Sequence, residues 1–163
     1  MERYDPRPVS SSAMNDQSYI VMPTDMNIRG TMYGGQVMKI LDSFAATVAM
    51  RHSERMCVTL SADEMRFLAP AYLGEELRFQ IAVNRVWGTS MEIGAKVSAY
   101  NLLTGEQRHV VSAYFTFVAL DENGISTRVR RVLPETNDEA RRYHEADVRR
   151  AERLEKAKRK KGA

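Results

Sequence analysis

Long apolar runs are missing from this chain, and so are the residues that build metal centres and disulfides. No segment approaches the roughly 20 consecutive apolar residues that span a bilayer. The opening Met1-Glu2-Arg3-Tyr4-Asp5-Pro6 lacks the apolar stretch of a signal peptide. A cytoplasmic protein without membrane insertion is the expectation. The single cysteine, Cys57, has no second cysteine to pair with; beside Val58 it reads as a small buried hydrophobe rather than a nucleophile. Only three histidines, His52, His109 and His144, are scattered over 163 residues. That spacing fits no zinc-type cluster, and no metal is expected. A strong charge of one sign is absent too. The net charge is +3, and from Asn137 to the end ten Lys and Arg stand against six Asp and Glu, which leaves about −1 on the preceding 136 residues. A positive excess confined to a tail is not the broad basic face of a nucleic-acid binder, so nucleic acid is not expected as a partner.

What is present suffices for one well-buried core: 44% of residues are hydrophobic and 28% charged. Residues 1–17 are polar, rich in Ser and broken by Pro6 and Pro8, and read as a mobile arm; 18–135 read as the folded domain and 136–163 as a charged tail. Tyr19 to Met22, closed by Pro23, predicts a first or edge strand. Val37, Met38, Leu41, Ala45, Val48 and Ala49 recur at steps of three and four and predict a helix over residues 33–52. Strand signals follow at Val58–Phe67, Leu77–Asn84, Met91–Ala99 and His109–Leu120. The middle two alternate apolar and polar residues, whereas the last is apolar on both phases and is placed centrally. Gly105 and Gly124 mark turns, the first closing a hairpin. One long helix followed by closely spaced antiparallel strands predicts an α+β domain in which a curved sheet wraps the helix. The uncovered edge or face of such a sheet predicts a dimer. In the tail, Glu145 with Arg149 and Glu152 with Lys156 support a solvated helix that frays into lysines. It reads as a solubilising tail, with a cationic cover for polyphosphate as the alternative.

The chemistry centres on Asn27 to Asp42. Gly34-Gly35 opens the helix, and glycine lets backbone approach a ligand closely while free N–H groups at a helix start favour an anion or developing oxyanion. Asp42 follows Gly35 by two turns and returns to nearly the same side. A base beside a site for negative charge suits acyl chemistry.

The order of parts resembles the hotdog-fold acyl-CoA thioesterases, in the acyl-CoA hydrolase branch with the cytosolic long-chain and brown-fat-inducible enzymes and their bacterial relatives. The pattern over about residues 17–135 is Asn27-x-x-Gly30-x-x-x-Gly34-Gly35, Ile40-Leu41-Asp42, Thr59, Phe67-Leu68-x-Pro70, Gly74-Glu75, Thr89-Ser90-Met91 and Phe115-Thr116-Phe117-Val118-Ala119-x-Asp121-Glu122-x-Gly124. The resemblance implies a long central hotdog helix, a double-hotdog dimer, often a trimer of dimers, and hydrolysis of acyl-CoA to fatty acid and CoA at sites shared across the dimer interface. It implies Asp42 as general base or nucleophile and Asn27 contributed by the partner subunit. Gly35 N–H is the natural oxyanion donor, and Thr59 or Asn27 orients the attacking water. The general base is preferred, although direct attack by Asp42 fits the same residues. No cofactor is implied beyond the CoA of the substrate.

Gly34, Arg66, Arg85, Trp87, Thr89 and Ser90 are the candidates for CoA binding. Relatives often have Gly-Arg before Thr-Ser where this chain has Trp87-Gly88, so phosphate must be met by another cation, with Arg66, Arg85 and the tail as candidates. Trp87 can stack on the adenine or simply pack. Tyr33 replaces a common Phe. Hotdog hydratases use a His with the acid, and His52 does not match that arrangement. A non-catalytic acyl-CoA sensor is the alternative function, against which the presence of both Asn27 and Asp42 weighs.

Overall fold

In a computed structural model of the chain, residues 5–161 are described. They comprise β1 (Arg7–Pro8), β2 (Met14–Ile20), α1 (Gly34–Ser53), β3 (Met56–Phe67), β4 (Glu76–Trp87), β5 (Ser90–Tyr100), β6 (Gln107–Leu120), β7 (Val132–Leu133) and α2 (Asn137–Lys161). Five strands form one antiparallel sheet in the order β2-β4-β5-β6-β3, while β1 and β7 pair in parallel beside it. The fold is α+β, with α1 laid across one face of the sheet.

The helix stripe explains that packing. Val37, Leu41, Ala45, Val48 and Ala49 are buried on α1, against a sheet face built by Leu77, Phe79, Ile81, Val83, Met91, Ile93 and Val97. The alanines allow close approach, and Phe44 meets Phe79 edge-on with ring centroids 5.0 Å apart. Cys57 is buried and unpaired. The strand order gives β6 the interior place expected of it, between β5 and the edge strand β3, with β5 in the middle of the five. No helix among the described residues is long and apolar enough to cross a membrane.

The segment read as a mobile arm is largely part of the fold. β2 begins at Met14 and pairs with β4, and Val9, Ser12 and Met14 are buried. The Arg7 guanidinium donates to the carbonyls of Arg51 and His52 at 3.1 and 3.0 Å, capping the C-terminus of α1 where Glu54 turns into the left-handed region at φ 56°. Only residues 1–4 of that arm lie outside the described residues.

The tail is also more than a solubilising helix. α2 crosses the sheet face opposite α1, where Ala146 is fully buried. Glu92 points out of β5 on that face and is fully buried; it accepts from Asn84 at 2.9 Å and from Arg149 at 2.7 and 3.1 Å. Arg149 also stacks over Tyr114 at 3.8 Å. Gly94 leaves room for this network, since a Cβ there would come within 2.5 Å of Asn84 Nδ2. Arg153 and Thr116 both donate to Asp63, at 2.7 and 2.5 Å. The lysines from Lys156 continue the helix; Gly162 and Ala163 lie outside the described residues.

Two stability predictions follow from these buried polar groups. His52 is fully buried, and its Nε2–H donates to the Arg130 carbonyl at 3.1 Å, which leaves Nδ1 to accept from Ser12 Oγ at 3.4 Å. Burial, then the nearby Arg7 and Arg130 charges, lower its pKa. The unfolded chain therefore takes up this proton at higher pH than the folded one. The neutral imidazole's contribution is complete above about pH 6.5 and is lost as pH falls below it. Urea midpoints should fall between about pH 8 and pH 5.5, and His52→Gln should flatten that slope. Arg149→Ala leaves the Glu92 carboxylate buried without its cation and should cost about 3 kcal/mol by equilibrium denaturation.

Candidate active site

Asp42 follows Leu41, so the rotation that buries the helix stripe turns Asp42 about 100° away, toward β3. There Thr59 Oγ1 donates to Asp42 Oδ1 at 2.7 Å. Thr59 sits opposite the buried Phe117 on β6, so the β3 register puts it on the sheet face that packs α1. A threonine donor fixes one carboxylate oxygen and leaves the other free to accept a proton. Asp42 is half-buried and Thr59 exposed, with the exposed Met38 one helical turn before Asp42; Met56 and Val58 of β3 are exposed on the opposite sheet face.

Gly34 and Gly35 open α1, with Tyr33 as the N-cap and no side chain capping it. The first backbone bonds at this end run from the Gln36 and Val37 N–H groups to the Tyr33 carbonyl, at 3.0 and 3.3 Å. Helix geometry leaves the Gly34 and Gly35 N–H groups without intrahelical acceptors. Both positions are tight. A Cβ at Gly34 would meet the Phe67 ring at 3.3 Å, and one at Gly35 would meet the Tyr33 ring at 2.6 Å.

Asn27 is held in the loop before the helix. Its Oδ1 accepts from the Arg29 and Thr31 N–H groups at 2.8 and 3.3 Å, and its Nδ2 donates to Thr31 Oγ1 at 3.0 Å. Among the described residues, no hydrogen bond joins Asn27 to Asp42 or Thr59 within one chain. The loop itself is rigidly placed: Met32 N–H donates to the Ala71 carbonyl at 2.8 Å, and Tyr33 N–H to the Asp25 carbonyl at 2.7 Å. Beside the helix start runs an apolar groove of about 440 Å³, walled by Gly34, Val37, Phe67, Leu68, Pro70 and Ala71 among others.

Most of the residues expected to bind CoA are engaged elsewhere. Arg66 pairs with Glu64 at 2.6 Å. Arg85 pairs with Asp147 of α2 at 3.1 Å and stacks on Tyr143 at 3.6 Å. Trp87 Nε1–H donates to the same Asp147 at 2.8 Å, and Arg150 lies over its ring at 4.6 Å. Ser90 Oγ donates to the Trp87 carbonyl and accepts from Arg150, both at 3.3 Å, while the Thr89 carbonyl accepts from Ala119 N–H at 3.0 Å. The Trp87 ring therefore packs against α2. A cationic feature went unread in the sequence: Arg128, Arg130 and Arg131 join Arg85 around a concavity of about 450 Å³. Three arginines within four positions after the Gly124 turn were the available signal.

The fold and this arrangement define a hotdog-type α+β protein with a carboxylate on its long helix. Residues 29–105 match the family profile of the thioesterase superfamily. The chain is 38% identical over 139 residues to an uncharacterised acyl-CoA thioester hydrolase, YkhA, of Bacillus subtilis, covering 85% of this chain and 80% of that protein. Among solved structures, an apo hexameric acyl-CoA thioesterase matches with a TM-score of 0.91 at 37% identity, over 94% of this chain and 97% of that one. The acyl-CoA hydrolase of Staphylococcus aureus, solved with butyryl coenzyme A, coenzyme A and coenzyme A disulfide, matches with a TM-score of 0.89 at 31% identity, over 96% and 94%. That hydrolase has also been solved as alanine variants of an aspartate, an asparagine and a threonine. The chain belongs to the thioesterase superfamily, within its family of hotdog acyl-CoA thioesterases.

Thr59→Val keeps the branched shape and removes the donor to Asp42. It should lower kcat for thioester hydrolysis about tenfold with little change in KM, read by release of free thiol.

Proposed function

We propose that the protein hydrolyses acyl-CoA to a fatty acid and CoA, with Asp42 as general base. The observation that carries this reading is the Thr59 to Asp42 hydrogen bond of 2.7 Å, which presents an oriented carboxylate on the α1 flank. Gly35 N–H is the proposed oxyanion donor. Seven residues separate Gly35 from Asp42, about 10 Å along the helix axis, and the Asp42 side chain leans back toward the N-terminus. That span suits a thioester carbonyl and one water better than direct contact between carboxylate and carbonyl carbon. Asp42 then takes a proton from the water as its oxygen attacks, and negative charge gathers on the carbonyl oxygen near Gly35. Collapse expels CoA thiolate, which takes up a proton.

The acyl chain occupies the groove beside Phe67. Positive charge for the CoA phosphates is offered by Arg128 and Arg131 in the concavity they share with Arg85 and Arg130, which pair with Asp147 and Glu54. The concavity adjoins the Gly88 turn, at the same end of the sheet as Thr59. In the S. aureus enzyme, the crystal forms with CoA and the alanine variants of Asp, Asn and Thr support both the substrate class and the three residue types.

Asn27 completes the site from a second copy, and the working unit is a homodimer, assembled as a trimer of dimers. Two features support this. The edge strand β3, whose Thr59 holds Asp42, also exposes Met56, Val58 and Leu60, and Asn27 has no bond to Asp42 in its own chain. Unpaired edges with apolar side chains are surfaces that native proteins cover.

A panel from acetyl-CoA to palmitoyl-CoA tests the activity. Asp42→Ala and Asn27→Ala should each lower kcat/KM by roughly 10² or more with folding intact. Mixing the two inactive variants after dissociation should restore about a quarter of wild-type activity, because half the random dimers are mixed and each has one intact site. No restoration, with mixed dimers demonstrated, sinks the shared site. Binding of CoA without turnover at any chain length leaves only a sensor.

A further inference from the structure

A second buried charge pair, on the sheet face that carries the groove's outer wall, has no part in the chemistry above. Glu75 is buried at the entrance to β4, and both its carboxylate oxygens accept from Arg108 Nη2 of β6, at 2.8 and 2.7 Å. Each partner has further attachments to the segment 68–75 that links β3 to β4. Glu75 Oε2 also accepts from Tyr72 N–H at 2.9 Å, and Arg108 Nη2 donates to the Pro70 carbonyl at 3.3 Å. The Arg108 guanidinium lies 5.2 Å from the centre of the Tyr72 ring. One ion pair thus gathers Pro70, Tyr72 and Glu75 onto β6.

The same segment forms the groove wall. Leu68, Pro70 and Ala71 line it, and the Ala71 carbonyl holds Met32 N–H in the loop that carries Asn27. Leu68 N–H donates to the Val110 carbonyl at 2.8 Å, and Gly74 N–H to the Val21 carbonyl at 2.9 Å, so backbone bonds secure both ends of the segment. Between them, Ala71 is held by its own burial and by Met32 N–H, while the Pro70 carbonyl and the Tyr72 N–H are bonded to the two members of the ion pair. Tyr72 and Leu73 are themselves exposed and contribute little burial to hold the segment. A charged pair costs desolvation that an exposed loop does not require for stability, and a buried pair of this kind commonly fixes position rather than adding net stability.

We infer that the Glu75–Arg108 pair is a positioning device that, through Pro70 and Tyr72, holds the Pro70–Ala71 wall against the groove and thereby sets which acyl chain lengths the enzyme accepts. This rests on the acyl-CoA reading above. Neither residue touches the thioester, so the pair acts through the wall. A short acyl group ends before the wall and does not sense it; a long one lies along it.

The test compares wild type with Arg108→Met, which breaks the pair, and Arg108→Lys, which keeps the charge but loses the fork that reaches Pro70. Steady-state kinetics are measured with acetyl-, octanoyl- and palmitoyl-CoA on samples matched for oligomeric state. KM for palmitoyl-CoA should rise about fivefold or more in Arg108→Met and less in Arg108→Lys, while kcat for acetyl-CoA stays within about twofold. An unchanged chain-length profile in folded variants, or an equal change at every length, overturns the inference. If Arg108→Met does not fold, Arg108→Lys is judged by the same criteria. Hydrogen exchange separates this outcome from failure of the catalytic reading. Even if wild type hydrolyses no acyl-CoA, the Tyr72 and Met32 amides should exchange about tenfold faster in the variants relative to the Ala113 amide of β6, and equal exchange overturns the positioning role.

Discussion

The rotation of α1 about its own axis is the constraint on which the site depends. Leu41, Ala45 and Val48 have no exposure and admit one orientation of the helix against the sheet. That orientation puts Asp42 on the flank facing β3, where the strand register presents Thr59. The carboxylate is positioned by apolar packing that does not touch it. Close packing makes this a stiff arrangement, since a helix with alanines against a sheet cannot roll without opening a void.

The helix, the sheet and the Asp42 region were legible in the sequence because their signals are periodic. The α1 stripe repeats every three to four residues, and β4 and β5 alternate. That β6 is an interior strand was legible from its apolar run on both phases, but such a run does not tell how many neighbours lie to each side. β2 was half missed for a different reason. Residues 15–18 are exposed on an edge strand, and edges favour polar residues that read as loop. Asp42 and Thr59 were proposed together from family pattern; their contact depends on how two distant elements pack, which periodicity does not encode.

The underside of α2 shows why its docking was hidden. Its contacts are guanidinium groups laid on rings, with Arg149 over Tyr114 and Arg150 over Trp87, together with Arg149 on Glu92 and Arg153 on Asp63. Arginines on a helix read as solvent-facing, and only Ala146 offers a fully buried apolar residue. The same engagement gives Trp87 the packing role, one of the two its neighbourhood in the sequence suggests. Charge in this chain works mostly as mortar between layers, and in the Arg128–Arg131 run Arg130 is likewise paired, with Glu54.

The parallel pairing of β1 with β7, together with the Arg7 cap on α1, gives the fold a clasp that joins its beginning to its far end. A ribosome delivers Arg7 early and Val132 late, so a growing chain cannot fasten the clasp until nearly the whole domain has emerged. Meanwhile the C-terminal carbonyls of α1 and the His52 ring lack their Arg130 and β7 surroundings. Closing the clasp is therefore among the last steps in folding this domain. A chain that stopped short of Val132 would leave β1 unpaired and the His52 ring without its Arg130 acceptor.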